Sequence, residues 1–418
     1  MTHSIMEEAV LWLEGVPLYG HKDGLNNMFR LMGRLGDPQD KLKVIHVAGT
    51  NGKGSCCAML QRILMESGFK VGLYTSPHLV DYRERIRVGD ELIDPASFVR
   101  LLNRVRQTNN VLVKEGYPHA TFFEFVTAVA FLYFAEQKVD YVVLEVGVGG
   151  RLDATNIVKA PIVSLITSIS FDHVKTLGDT LPLIAAEKAG IIKQGRPVVS
   201  AANPEEVRAV LREKAARMEA PYCEAEEGSF SKGGYELALA GDYQQENAEA
   251  VLKVVHVLQD EGVAIPEEAV YNGLARTVWP GRMQRITWRN KEFILEGAHN
   301  PDAAGILGRW IHKQEKPCGL VFGALRKKDA LGVLQGIMAG QERIQKIYFT
   351  PIEGADSLDA DEMNELMERL GLSVPWQPFA HAREALEAAA QSPDSPVIIA
   401  GSLYLIGEVL TCFHFPKN

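Results

Sequence analysis

A short apolar run, Lys43–Ala48 (KVIHVA), passes directly into Gly49-Thr50-Asn51-Gly52-Lys53-Gly54-Ser55, and helical periodicity follows to about Ser67, closed by Gly68. Strand, glycine-rich loop and helix in immediate succession restrict the fold. Such a loop carries backbone N–H groups to the positive end of a helix and so forms a cradle for a phosphate-sized anion. Lys53 adds a mobile ammonium for terminal phosphates, and the Ser55 hydroxyl is placed to hold a magnesium ion. The spacing departs from G-x-x-x-x-G-K-[ST]: only Thr50 and Asn51 separate Gly49 from Gly52, and Gly54 stands where a hydroxyl residue is usual. The competing reading is an ordinary glycine-rich turn between strand and helix.

Further short apolar runs alternate with helical periodicity, the pattern of an α/β protein with a parallel-rich sheet. Strands are expected at Val71–Tyr74, Tyr141–Val146, Ile162–Thr167 and Pro197–Ser200. Asp94 before Pro95 is an N-cap with proline at the first helical position, and Thr121 or Phe122 opens a helix to about Gln137. Residues 221–243 are mixed and glycine-rich, and read as short β-structure or loop. After Trp279-Pro280-Gly281-Arg282 a second alternation begins, with strands near Phe293–Leu295, Leu320–Phe322, Ile347–Phe349 and Val397–Ala400. The expected domains are therefore 1–284 and 285–418.

Composition excludes several classes. With 46% hydrophobic and 23% charged residues, the 418-residue chain is neither disordered nor a disulfide scaffold. A net charge of −9 argues against a protein that coats nucleic acid or an anionic membrane, so an anionic ligand needs a local positive site. The five cysteines form no C-x-x-C pair and no zinc-type cluster, which fits a reducing compartment. The opening MTHSIMEEAVLWLEG reads as an amphipathic helix rather than a secretion signal, and no apolar run is long enough to span a membrane. A cytoplasmic protein is expected.

Three strand ends deliver candidate metal ligands. Leu144-Glu145-Val146-Gly147-Val148-Gly149-Gly150-Arg151 is not a dinucleotide fingerprint, because G-x-G-x-x-G would need glycine where Leu152 stands. Glu145 at a strand's carboxyl end suits magnesium instead, the alternative being a helix cap or a pair with Arg151. Ser76 follows the strand at Val71, and Asp172-His173 follows the strand at Ile162. Magnesium keeps water and substrate phosphates in its octahedron, so Ser76, Glu145 and His173 are a sufficient set.

Eight ordered segments carry a family resemblance: HVAGTNGKGS at 46–55, YTSPHLVDYRERI at 74–86, TFFE at 121–124, LEVGVGGRLDATN at 144–156, FDHVKTLG at 171–178, EKAGIIK at 187–193, WPGRMQ at 279–284 and EGAHNPDA at 296–303. Together they resemble the folylpolyglutamate synthase and dihydrofolate synthase family, within the wider group of Mur-type amide ligases. The resemblance implies an N-terminal P-loop-type ATPase domain that also binds folate, and a smaller Rossmann-like C-terminal domain that binds glutamate. It implies an amide ligase in which ATP phosphorylates a folate-type carboxylate and L-glutamate attacks the acyl phosphate, releasing ADP and phosphate. The substrates implied are ATP, L-glutamate, reduced folates and dihydropteroate, with two magnesium ions, in a monomer without nucleic-acid or membrane partners.

By the same resemblance, Asn51, Gly52, Lys53, Gly54 and Ser55 cradle the ATP phosphates; Asn247, Arg282, Glu296, His299 and Asn300 contact the nucleotide, with Arg282 stabilising transferred charge from the domain junction. Ser76, Glu145 and His173 bind magnesium. Thr121, Phe122, Phe123, Glu124, Leu152, Asp153, Ala154 and Arg83 form the pterin-binding wall; unaided, the phenylalanines read as helix core. Lys188 is carbamylated in the family and binds the second magnesium, whereas the bare sequence favours an exposed lysine at a helix end. Lys53, His173, Lys188 and Arg282 form the catalytic set. Two departures stand out: Glu296 where the family shows aspartate, and Tyr243 where it shows histidine before Gln244. TFFE is closest to bifunctional bacterial members; the alternatives are a folylpolyglutamate synthase alone, a cell-wall Mur ligase, or a nucleotide-dependent binding module.

Overall fold

The computed structural model describes residues 2–17 and 24–414; Met1, at the head of the expected first helix, lies outside them. The chain divides into two compact units, Met1–Ala238 with Gln244–Thr277, and Leu239–Tyr243 with Val278–Asn418. The first helix runs Thr2–Glu14.

The first unit is built on an eight-stranded sheet. Its strands are β1 (Val44–Ala48), β2 (Val71–Tyr74), β3 (Ile86–Val88), β4 (Glu91–Leu92), β5 (Tyr141–Glu145), β6 (Val163–Ile166), β7 (Val198–Ser200) and β8 (Tyr222–Glu224), in the order β4-β3-β2-β5-β1-β6-β7-β8. From β2 to β8 every pair is parallel; β3 and β4 add an antiparallel edge. Strands β1, β2, β5, β6 and β7 are buried along their whole length, which explains why they read as continuous apolar runs rather than alternating ones.

Helix Phe122–Gln137 is apolar nearly all round because it is itself core, with Phe125, Phe131 and Phe134 fully buried. It passes so close to β2 that a Cβ on Gly72 would lie 2.7 Å from the Phe134 ring. Asp94 caps helix Pro95–Lys114 through Ser97 N at 2.9 Å, as its sequence indicates.

The second unit holds β9 (Gln284–Trp288), β10 (Lys291–Leu295), β11 (Cys318–Phe322), β12 (Ile344–Phe349), β13 (Trp376–Pro378) and β14 (Val397–Ala400), in the order β13-β12-β11-β14-β10-β9. All pairs are parallel except β9 with β10. The sequence reading lacks β3, which lies next to an edge, and the edge strands β4, β9 and β13. Edge strands bury little, and β13 ends in a proline that a central strand would not tolerate. The β9–β10 turn is Arg289-Asn290, both at positive φ, a tight hairpin without the glycine that usually marks one. Residues 221–243, read as short β-structure or loop, contain β8 and the helical turn Ser229–Gly233.

Among the described residues no helix is long and apolar enough to cross a membrane. Phe131→Ala, a truncation of a fully buried ring, is expected to cost about 3–5 kcal/mol in urea denaturation, whereas Leu11→Ala, at a mostly exposed site, changes stability by less than about 0.5 kcal/mol.

Candidate active site

Four adjacent parallel strands, β2, β5, β1 and β6, end on one edge of the first sheet, where open α/β sheets collect their ligands. The loop after β1 is the glycine-rich segment. Gly49 has φ +154, and a Cβ on it would stand 1.7 Å from Thr167 Oγ1; Gly52 has φ +83, and its Cβ would stand 2.2 Å from Asn247 Oδ1. Both positions therefore exclude any side chain. Helix Lys53–Glu66 starts at once, two residues before the expected Ser55.

The loop is laced to the segment that follows β6. Thr50 N donates to Ser168 O at 2.7 Å, Thr167 Oγ1 donates to Asn51 O at 2.7 Å, and Asn51 Nδ2 donates to Ser170 Oγ at 3.3 Å. Ser55 is buried, its hydroxyl accepting from Gln244 Nε2 at 3.1 Å, and Asn247 Nδ2 donates to Gln244 Oε1 at 3.0 Å. Lys53 Nζ folds back onto the carbonyls of Gly49 (3.2 Å) and Thr50 (3.1 Å).

Lys188 is not the exposed helix-end lysine that the bare sequence favours. It is 4% exposed at the end of helix Leu181–Lys188, and its Nζ donates to Gly49 O at 2.7 Å. Burial first, and the neighbouring Lys53 ammonium second, push its pKa down to about 7, with Asp172 and Asp153 opposing. The helix end passes the Gly150–Arg151 backbone so closely that a Cβ on Gly190 would lie 2.3 Å from Arg151 Cα.

Glu145, 4% exposed at the end of β5, accepts from Ser76 N at 3.0 Å, so two of the three candidate metal ligands meet. His173 sits at φ +50 heading the short helix Val174–Leu177, its Nε2 3.8 Å from Asp172 Oδ2. Among the described residues no group of three or more His, Cys, Asp and Glu is arranged to hold a metal. The donor set is a buried carboxylate beside a serine, hard oxygen chemistry that fits a cation keeping water and phosphate as its other ligands.

The residues assigned to a pterin wall do different things. Thr121 and Glu124 form a capping box: Glu124 N donates to Thr121 Oγ1 at 3.3 Å, and Thr121 N to Glu124 Oε2 at 2.7 Å. Phe122 is buried under the Arg85 guanidinium, 5.3 Å above its ring. Phe123 lies against the β5 loop, where a Cβ on Gly147 would come within 2.6 Å of its ring, and 6.0 Å from the Tyr74 ring.

Asp153 is buried and shapes that loop, accepting from Gly147 N, Val148 N and Thr155 N at 3.0, 3.1 and 3.0 Å, while burial raises its pKa. Ala154 is buried, and Leu152 is 53% exposed. Arg83 is held by Asp81 through Nη2 at 2.6 Å and Nε at 3.0 Å.

Within the second unit, Arg282 Nη1 lies 3.5 Å from Glu296 Oε1, and Glu296 Oε2 accepts from Tyr243 Oη at 2.8 Å and Met283 N at 3.0 Å. His299 Nδ1 lies 2.8 Å from Gly297 O, and Asn300 caps helix Pro301–His312 through Ala303 N at 2.9 Å.

Sequence reasoning passed over Thr167, Ser168 and Ser170, which fasten the phosphate loop, although a Thr-Ser-Ile-Ser run at a strand's carboxyl end was a usable signal. It also passed over Gln244, and over His46 on β1. His46 Nε2 pairs with Thr155 Oγ1 at 2.9 Å, and burial together with Lys193 pushes its pKa down to about 3, so the ring is neutral. Nothing in an apolar strand distinguishes such a histidine beforehand.

Comparison with known proteins bears on this site. Residues 47–255 match the family described as "Mur ligase middle domain", and residues 281–412 the family described as "Dihydrofolate synthetase, C-terminal domain". The dihydrofolate synthase/folylpolyglutamate synthase of Bacillus subtilis (strain 168) is 34% identical, with 96% of this chain and 98% of that protein covered. Among solved structures, Mycobacterium tuberculosis folylpolyglutamate synthase complexed with ADP and AMPPCP superposes with a TM-score of 0.89 at 28% identity, covering 100% of both chains. The bifunctional folylpolyglutamate synthase/dihydrofolate synthase of Yersinia pestis, complexed with AMPPNP and a manganese ion, gives 0.85 at 31% identity, covering 98% of both.

Because Lys188 is lowered from 10.5 to about 7, the folded protein binds fewer protons than the unfolded chain between those values. Stability from this group therefore rises with pH across that window, and the penalty is fully present below about pH 7. Urea denaturation at pH 7 and pH 9 is expected to show the wild type gaining about 1–2 kcal/mol relative to Lys188→Met.

Proposed function

Since the chain belongs to the dihydrofolate synthase/folylpolyglutamate synthase family of Mur ligases, we propose that it joins L-glutamate through an amide bond to the glutamyl end of a reduced folate and to the carboxylate of dihydropteroate, using ATP. A carboxylate is a poor electrophile. Transfer of a phosphoryl group to it gives an acyl phosphate; the glutamate amine then attacks the carbonyl carbon, the C–O bond to phosphate breaks, and phosphate leaves with ADP already formed.

The observation that carries this reading is the convergence of Lys53 and Lys188 on the Gly49 carbonyl inside a loop closed to side chains. An outer phosphate is the natural partner of such a positive pocket. Lys53 turns from the Gly49 and Thr50 carbonyls to that phosphate, and the loop N–H groups at the head of helix Lys53–Glu66 hold the rest.

Glu145 and the Ser76 hydroxyl, with His173 from the segment that follows β6, would hold magnesium, which neutralises phosphate charge when bound. With a pKa near 7, Lys188 has the neutral amine that carbamylation requires, and the carbamate would serve a second magnesium. Phe123 and the exposed Leu152 offer the pterin an apolar face beside the loop that Asp153 shapes. The C-terminal domain expected at 285–418 would hold glutamate. The five unpaired cysteines suit a reducing compartment, and we place the enzyme in the cytoplasm as a monomer.

The test is release of ADP and phosphate in the presence of ATP, magnesium, L-glutamate and either dihydropteroate or tetrahydrofolate, each omitted in turn. Release that depends on every component, with both acceptors active, is expected. Activity with tetrahydrofolate alone narrows the enzyme to a folylpolyglutamate synthase, and ADP release indifferent to glutamate overturns the ligase. Lys53→Ala is expected to lower kcat at least ~100-fold. Lys188→Ala loses most activity while folding normally, as circular dichroism would show.

A further inference from the structure

Tyr243 and Glu296, 53 residues apart in sequence, meet in the structure, Tyr243 Oη donating to Glu296 Oε2 at 2.8 Å. Met283 N donates to the same oxygen at 3.0 Å. With Oε2 receiving two donors, Oε1 is left turned toward Arg282 Nη1, 3.5 Å away. The carboxylate is thus clamped on one edge and offers the other to a single guanidinium.

Its surroundings leave little freedom. Met283, next to Arg282, sits at φ +47, a left-handed conformation that a non-glycine residue keeps only when its neighbours impose it. Gly297 N donates to Gly281 O at 2.8 Å, so the backbone on both sides of Arg282 is tied to the Glu296 segment. A Cβ on Gly297 would stand 3.0 Å from Arg282 Nη1, which places the guanidinium against bare backbone. Tyr243 packs on the core of its own unit, and the adjacent Asp242 is paired with Lys313 at 2.6 Å. Burial raises the pKa of Glu296, and Arg282, the Tyr243 hydroxyl and the Met283 amide oppose it.

We propose that Tyr243 is a positioning residue for the ligase reaction, acting through Glu296 to hold the Arg282 guanidinium in one orientation. The inference rests on the reading of Arg282 as the cation that stabilises transferred phosphoryl charge. Because the effect operates on charge that develops during transfer, it belongs to kcat rather than to nucleotide binding.

Turnover of the wild type is measured first, and its absence rejects the ligase reading itself. With turnover present, kcat, KM for ATP and the thermal midpoint are compared for Tyr243→Phe, Arg282→Ala and the double variant. Tyr243→Phe is expected to lower kcat by about 5- to 20-fold, with KM for ATP changed less than about twofold and the midpoint nearly unmoved. In the Arg282→Ala background the same change is expected to cost nothing further. Glu296→Gln, which keeps the shape and removes the charge, is expected to behave likewise. An unchanged kcat in Tyr243→Phe, or an equal loss in the presence and absence of Arg282, overturns the proposal.

Discussion

The Gly49 carbonyl receives two ammonium groups, Lys188 at 2.7 Å and Lys53 at 3.2 Å, and the rest of the first unit is arranged so that both reach it. Like charges converging on one neutral oxygen repel at short range, and burial of Lys188 strengthens the effect. Two things relieve it: loss of a proton from Lys188, whose pKa of about 7 makes that accessible, or arrival of an anion. The loop stays close enough for either because Gly49 and Gly52 have no side chains to hold off Thr167 and Asn247. Strand order supplies the remainder, placing β1 between β5 and β6 so that a carboxylate arrives from one side and the Thr167–Ser170 fasteners from the other.

Much of this was legible in the sequence. The buried strands of both sheets show as apolar runs, the Asp94 and Thr121 caps show by residue type, and the order of motifs carries the family. The failures have physical causes. Strands at or next to a sheet edge, such as β9 and β3, bury too little to leave an apolar run, and the Arg289-Asn290 turn uses positive φ without glycine. Lys188 reads as a solvated helix end because nothing local encodes which side of its short helix faces the Gly49 carbonyl; only tertiary packing decides it. Glu296 and Tyr243 read as separate departures, being 53 residues apart, and their hydrogen bond appears only in three dimensions.

The residues that the resemblance assigns to pterin separate into two kinds. Thr121, Glu124, Asp153 and Arg83 each place polar atoms in a cap, a turn or an ion pair and so help set the shape of the surface. Phe123 and Leu152 keep apolar surface available, with Gly147 admitting the Phe123 ring against the β5 loop. Motif positions thus mix groups that shape a surface with groups that present one.

The claim at the centre is that Lys53 waits on the carbonyls of its own loop for an outer phosphate. A crystal structure of the protein with AMPPNP and magnesium tests it most directly. The account predicts nucleotide phosphates along the loop N–H groups, with Lys53 Nζ moved from Gly49 O and Thr50 O to the outermost phosphate. A nucleotide bound elsewhere, with Lys53 still on those two carbonyls, would contradict it.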